Sequence, residues 1–193
     1  MSGKFRYCPY CASSIVEETR FNAVRPVCSA CGFVQFHDPK VAVIALVVHG
    51  RRVLLIQRAV DPAKGKWSLP GGYMDAGEMP QEALRRELQE EVGLSVKIGE
   101  LIEIFPMVND EGERIGIVLA FDAAPSGSPD IPFVADDAQD AGWFCIEEIP
   151  SDLAFESTET LLNNWRVSSA GCSNEGSQEQ DVNDLSHTEQ DKR

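Results

Sequence analysis

The sequence predicts an α/β fold preceded by a small cysteine-rich module, and three observations carry that expectation. Two β-branched apolar runs, VAVIALVV at 41–48 and RVLLIQR at 52–58, read as buried strands joined by a turn at His49-Gly50. Leu84, Leu88 and Val92 recur at helical spacing on one face of a segment from about 79 to 92. Residues 1–36 hold four of the six cysteines in two C-x-x-C pairs and show little apolar periodicity.

In chain order, the module ends at HDPK, where the Asp38-Pro39 step favours an extended connection. The strand hairpin follows, then DPAKGKWSLPGG, a loop by its Pro and Gly content. The helix from Met79 to Val92 has Pro80 in its first turn, where a missing N–H is harmless, and closes at Gly93. LSVKIGELIEIF and ERIGIVLAFDA read as two strands around NDEG, AGWFCI as a last strand and TETLLNNW as a short helix. From Ser168 the chain is Ser, Asn, Gln, Asp and Glu with almost no large apolar residue, so it predicts a disordered acidic tail. The organisation expected is therefore 1–36, 37–167 and 168–193.

A chain of 193 residues buries one core with room for a small appendage. Neither an apolar leader at the start nor a run of roughly 18 apolar residues is present, and the cysteine pattern is not that of a disulfide framework. The expectation is a soluble, cytoplasmic protein with no membrane partner. The formal charge is −14, and Lys4, Arg6, Arg20 and Arg25 against Glu17 and Glu18 leave residues 1–36 at +2. That balance argues against nucleic acid as a partner, since phosphate binding needs a basic surface and the module lacks clustered Lys/Arg or interleaved aromatics. The composition leaves a homodimer open.

Cys8-x2-Cys11 and Cys28-x2-Cys31, with sixteen residues between the pairs, have the spacing of a zinc ribbon, in which two knuckles give four thiolates to a tetrahedral Zn²⁺. Four protein ligands close the site, so its role is structural. A redox dithiol is the weaker alternative, because neither pair opens a helix in a βαβ pattern.

Helix 79–92 poses a problem of charge. Glu87, Glu90 and Glu91 stand at i, i+3 and i+4, where like charges destabilise a helix. They border the apolar face and so are expected at the rim of the core, with Ala83 leaving open space beside them. A solvated acidic face paired with Arg85 and Arg86 would be the plain reading. The alternative is a hard divalent cation, Mg²⁺ or Mn²⁺, which takes oxygen ligands and relieves the repulsion. Gly71 and Gly72 and then Glu78 in the preceding GGYMDAGE favour that alternative, since a permissive backbone lets a carbonyl approach a ligand.

Gly72, five residues, Glu78, seven residues and then RELQEEVGL from Arg86 to Leu94 match the Nudix box at every defined position. With the SLPGG lead-in and the late WF…EEIP segment, residues 40–167 resemble the Nudix hydrolase family. The resemblance implies an α/β/α sandwich with a mixed β-sheet, carrying its active site on the loop-helix-loop of the box. It implies hydrolysis of a nucleoside diphosphate linked to another moiety, with Mg²⁺ or Mn²⁺ on Glu87, Glu90 and Glu91, the Gly72 carbonyl as a further ligand, Arg86 orienting the glutamates and Glu78 supporting the loop. For the general base it leaves open Glu90, Glu91, Asp136, Asp137 and Asp140. With the cysteine module in front, the chain is similar to the zinc-ribbon branch. DPK, GKWSLPGGY and EEIPSDLAFES favour the group related to FAD and ADP-ribose pyrophosphatases. An NADH pyrophosphatase, an RNA-end hydrolase and a non-catalytic nucleotide sensor are the alternatives. Phe105, Trp143 and Phe155 are candidates for stacking on a base, with core packing as the commoner fate.

Overall fold

The computed structural model describes residues 5–109, 111–131, 133–135 and 137–170, with side chains to residue 167. Its elements are strands β1 (Ile15–Arg20), β2 (Ala23–Cys28), β3 (Lys40–His49), β4 (Arg52–Arg58), β5 (Trp67–Ser68) and β6 (Gly71–Tyr73), helix α1 (Pro80–Val92), strands β7 (Val96–Val108), β8 (Arg114–Pro125) and β9 (Ala138–Cys145), and helix α2 (Glu156–Ala170). The hairpin of β3 and β4, helix α1, the pair β7 and β8, and β9 occur where the sequence predicts them. The structure exceeds the expectation in three places. The cysteine module contains the hairpin β1–β2, the loop before the helix contributes the short strands β5 and β6, and α2 continues to Ala170, three residues into the segment expected to be disordered. The remainder of that segment, 171–193, lies outside the described residues, as does Asp136.

Strand β3 organises the mixed sheet, whose order is β5-β4-β3-β8-β7, with β6 also on β3 and β9 also on β4. It runs parallel to β8 from Lys40↔Gly116 to Val47↔Ala123 and antiparallel to β6 through Val43↔Gly72. Its two faces serve two cores because side chains alternate along a strand. Val43, Ala45 and Val47 join Ala83, Leu84, Leu88 and Val92 of α1. Ile44, Leu46 and Val48 turn the other way, toward Leu161, Leu162 and Trp165 of α2. The result is the α/β/α sandwich that the sequence predicts. Each leucine fully buried here contributes about 1.5–3 kcal/mol relative to exposure.

Helix α1 starts and stops for local reasons. Pro80 occupies the first turn, and Glu82 Oε2 accepts the Met79 N–H at 2.9 Å. At the other end Gly93 takes the left-handed conformation, φ 64°, and the N–H groups of Gly93 and Leu94 return to the carbonyls of Gln89 and Leu88. These caps fix which turn carries each glutamate.

Candidate active site and metal centre

Strand β6 brings the start of the box against the central strand. Gly71 has φ +139°, and a side chain there would overlap the Val43 carbonyl oxygen, so the tight pairing of β6 with β3 requires glycine. Gly72 faces α1. A Cβ at Gly72 would fall 2.5–2.7 Å from the carboxylate atoms of Glu87, which places that carboxylate directly against the strand backbone.

The three glutamates do not share one open rim. Glu91 is fully buried (0% exposed), Glu87 is nearly so, and the Glu90 side chain is 46% exposed. Ala83 leaves no space beside them, because it is packed within the core under α1. The sequence reading erred here because helical angle gives only direction. The depth of a side chain depends on what lies over the helix, and β6 covers the face that Glu87 and Glu91 share.

Arg86 joins most of these acids. Its Nε and Nη2 donate to Glu78 Oε1 and Oε2 at 2.8 and 3.0 Å, and its Nη1 donates to Glu87 Oε1 at 2.9 Å and Glu90 Oε2 at 3.0 Å. Nη2 also donates to the Tyr73 carbonyl at 3.0 Å, locking the helix to the loop. Those bonds from Arg86, with the Asp75 N–H, hold the Glu78 carboxyl down at about 2. A paired, charge-assisted fork of this kind orients carboxylates.

Glu91 lies beyond that reach. Its Oε2 accepts the Gly71 N–H at 3.0 Å, and its Oε1 is buried with no partner. Burial above all, and then the negative charge of Asp137, pushes the Glu91 carboxyl well above the usual carboxylate range. Burial also raises Glu87, against the opposing pull of Arg86. Asp137 is pinned from two sides. The Ala135 N–H donates to the Glu91 carbonyl, one of the last-turn carbonyls of α1, and the Asp137 carbonyl accepts the Ala59 N–H beyond the bulged end of β4. Its Oδ1 is buried without a partner, like Glu91 Oε1. Orphaned carboxylate oxygens in one acidic locus fit a hard divalent cation, which would satisfy both and remove the repulsion.

The other candidates part company. Asp140 lies exposed on β9, pairing in register with Gln57. Phe105 packs into the α2 core, Trp143 packs against the α1 core with its Nε1–H bonded to the Pro129 carbonyl at 2.7 Å, and Phe155 lies under Arg58. Sequence reasoning missed the Gly71 N–H as a partner of Glu91. The Gly-Gly pair was the available signal, but which of its glycines bonds a helix is decided by the register of β6.

In the N-terminal module the four Sγ atoms of Cys8, Cys11, Cys28 and Cys31 lie within 4.8 Å of one another. Among the described residues this is the one set of three or more such side chains whose ligand atoms converge so closely; the box glutamates do not form another. Cys8 and Cys31, and Cys11 and Cys28, are 3.5 Å apart and unbonded, close to the roughly 3.8 Å edge of a tetrahedral zinc–thiolate site. The knuckles repeat each other: Ala12 and Gly32, each just after its second cysteine, have φ +57° and +76° and return their N–H groups to the carbonyls of Cys8 and Cys28. The Ser13 backbone N–H and hydroxyl lower the Cys11 thiol, whereas, over the opposing pull of the Phe33 N–H, the neighbouring Cys11 and Cys8 raise that of Cys31, the opposed shifts of thiols crowded together without a cation.

A model of the NUDIX domain family matches residues 37–163. An ADP-ribose pyrophosphatase of Methanocaldococcus jannaschii is 33% identical over 130 residues, covering 66% of this chain and 74% of the relative. An NAD-capped RNA hydrolase, NudC, of Chromobacterium violaceum is 31% identical over 147 residues; the match covers 75% of this chain but spans about half, 52%, of the relative. Among solved structures, a NUDIX hydrolase of Nitrosomonas europaea superposes with a TM-score of 0.76 at 24% identity, over 87% of this chain and 94% of that one. A MutT NUDIX hydrolase of Burkholderia pseudomallei superposes with a TM-score of 0.57 at 30% identity, over 65% and 97%. Among the described residues no helix is long and apolar enough to cross a membrane.

Proposed function

Because the chain belongs to the Nudix family of hydrolases, we propose that it cleaves the pyrophosphate bond of a nucleoside diphosphate linked to another moiety, ADP-ribose or FAD, and releases AMP. The observation that carries this reading is the buried Glu91 carboxylate, with one oxygen on the Gly71 N–H and the other unpartnered in the field of Asp137. Such an arrangement costs the metal-free fold stability and gains a rationale when a cation binds. ADP-ribose is supported by the Methanocaldococcus relative, an ADP-ribose pyrophosphatase of which the match covers 74%.

In this reading Glu87, Glu90 and Glu91 hold Mg²⁺ or Mn²⁺, with the Gly72 carbonyl as a further ligand. The metal supplies neutralisation of the pyrophosphate oxygens and a lowered pKa for an attacking water. Arg86 and Glu78 act by positioning: their fork keeps the first turns of α1 against the Tyr73 carbonyl, so Glu87 and Glu90 are presented together. Asp137 is the base we favour over Asp140, because it stands at Glu91 whereas Asp140 is exposed on β9. Zn²⁺ on the four cysteines stabilises the N-terminal module and takes no part in the chemistry.

A panel of ADP-ribose, FAD, NADH and an NAD-capped RNA, each with Mg²⁺ and with Mn²⁺, tests the reading by identifying the nucleoside monophosphate released. Metal-dependent AMP release, fastest from ADP-ribose or FAD, is the expected result. Tight binding of these compounds without turnover would replace the enzyme with a sensor.

A further inference from the structure

We propose that the cavity between the start of β3 and the loop after β6 is the pocket for the hydroxylated group beyond the pyrophosphate, the distal ribose of ADP-ribose or the ribityl chain of FAD. Asp38 and Asp75 accept its hydroxyls, and Lys40 takes the phosphate that carries it. The inference rests on the hydrolase reading above and names the residues that select the substrate. The cavity has a volume of about 580 Å³, within the range of small-molecule sites. Asp38 and Lys40 line one side of it, on a segment that Pro39 keeps extended, and Tyr73, Asp75 and Glu78 line the other, on the loop of the box.

These polar groups divide by what already holds them. Both oxygens of Glu78 are taken, Oε1 by Arg86 and Oε2 by Arg86 and by the Asp75 N–H at 2.9 Å, so Glu78 serves as wall. The side chains of Asp38 and Asp75 make no hydrogen bond or ion pair among the described residues, and Lys40 has no carboxylate partner there. Lys40 instead places Nζ 5.3 Å from the centroid of the Tyr73 ring, whose hydroxyl meets Met107 Sδ at 3.7 Å. Braced at its face and its hydroxyl, that ring is still 53% exposed. The backbone of the same residue is pinned as well, since Tyr73 pairs with Ala42 and its carbonyl accepts from Arg86. A ring so fixed is a rigid wall for the apolar side of a sugar or flavin.

Position and charge choose the occupant. Tyr73 follows Gly72, and successive strand residues are about 3.3 Å apart, so a pyrophosphate held at the Gly72 carbonyl has its next group within reach of the cavity. Sugar hydroxyls donate and free carboxylates accept, the bond by which an acidic residue holds ribose in dinucleotide sites. In a chain of formal charge −14, Lys40 gives the phosphate end a cation where carboxylates alone would repel it. A metal ion fits less well, because an ammonium shares the cavity and no three of its carboxylates converge within 4.8 Å as the cysteines do. The DPK run thus gains a role that neither the metal site nor the core gives it.

Titration calorimetry on the full chain in Mg²⁺ tests this with α,β-methylene-ADP-ribose, which resists hydrolysis, and α,β-methylene-ADP, which ends at the phosphate. Wild type should bind the first about ten-fold more tightly or better. Asp38→Ala and Asp75→Ala, both at exposed positions, should melt as wild type does, lose most of that preference and bind α,β-methylene-ADP no more weakly. Lys40→Met should weaken both ligands, because both keep the phosphate. Equal affinity of wild type for the two ligands would overturn the proposal. So would a preference that survives in either aspartate variant, wild-type binding by Lys40→Met, or no binding of either ligand. AMP release from ADP-ribose by the same wild-type preparation separates the two readings. Release with a preference untouched by the variants sinks the pocket alone, whereas the expected binding pattern without release sinks the hydrolase and leaves the pocket standing.

Discussion

Glu91 Oε2 accepts the backbone N–H of Gly71 at 3.0 Å, a bond that ties the last turn of α1 to strand β6 across the core. It fixes a carboxylate where no water reaches it and leaves Oε1 without a partner. Glu91→Gln keeps size and the capacity to accept from Gly71 but removes the charge. We expect metal-activated hydrolysis to fall by a hundred-fold or more, on the order of 3 kcal/mol of lost transition-state stabilisation. In EDTA the variant should melt higher than wild type. The sign follows from the raised Glu91 pKa: the contribution of that group to stability is complete below its ordinary value near 4.5 and is lost as pH rises through the higher folded value. The advantage of Glu91→Gln therefore grows with pH in EDTA and disappears in excess Mg²⁺. Melting curves from pH 4 to 8 (on the order of the window set by that linkage) check it.

Glu78 has the opposite linkage. Its folded pKa, about 2 against an ordinary 4.5, means that the Arg86 fork stabilises the fold above pH 4.5 and that this contribution is lost as pH falls through about 2. Glu78→Gln should thus be least stable relative to wild type at neutral pH, with the gap closing in acid. A gap that is constant from neutral pH down to about 2 would show that the fork contributes through packing, not charge.

Gly71 and Gly72 should respond differently to the same change. An added methyl at Gly71 meets backbone of β3, which cannot give way, so Gly71→Ala should cost roughly 3 kcal/mol or more and yield little folded protein. At Gly72 the methyl meets the Glu87 carboxylate, a side chain that can swing aside. Gly72→Ala should fold and lose activity with a raised Mg²⁺ requirement. Soluble yield, far-ultraviolet circular dichroism and metal titration of the rate separate the two.

One Zn²⁺ per chain is expected by elemental analysis, lost in Cys11→Ser. The knuckles offer a finer test, because Ala12 and Gly32 occupy the same left-handed position. Ala12→Gly relieves a side chain from that conformation and should gain up to about 1 kcal/mol, whereas Gly32→Ala should lose at least as much. The rate of zinc transfer to a chromophoric chelator reports both.

The sequence by itself singled out the candidate site residues and located the strands and the helix that carry them. Spacing sufficed, since Gly72, Glu78 and Arg86 through Leu94 define a loop and a helix face, and two C-x-x-C pairs define two knuckles. Periodicity likewise located β3, β4, α1 and the β7–β8 pair, because one buried face imposes a repeat on the chain. Tertiary structure alone decided depth and partnership. Glu91 is buried and Glu90 exposed though they are adjacent in sequence, because β6 covers the face of the helix that Glu91 shares with Glu87 and leaves the face of Glu90 to solvent. Asp137 meets Glu91, and Asp140 does not, because Ala135 bonds the end of α1 and Ala59 bonds Asp137 from the end of β4. Lys40 reaches Tyr73 for the same kind of reason. Local sequence sets the direction of a side chain from its own backbone, but its surroundings come from segments distant in the chain, whose register is fixed only when the whole sheet pairs.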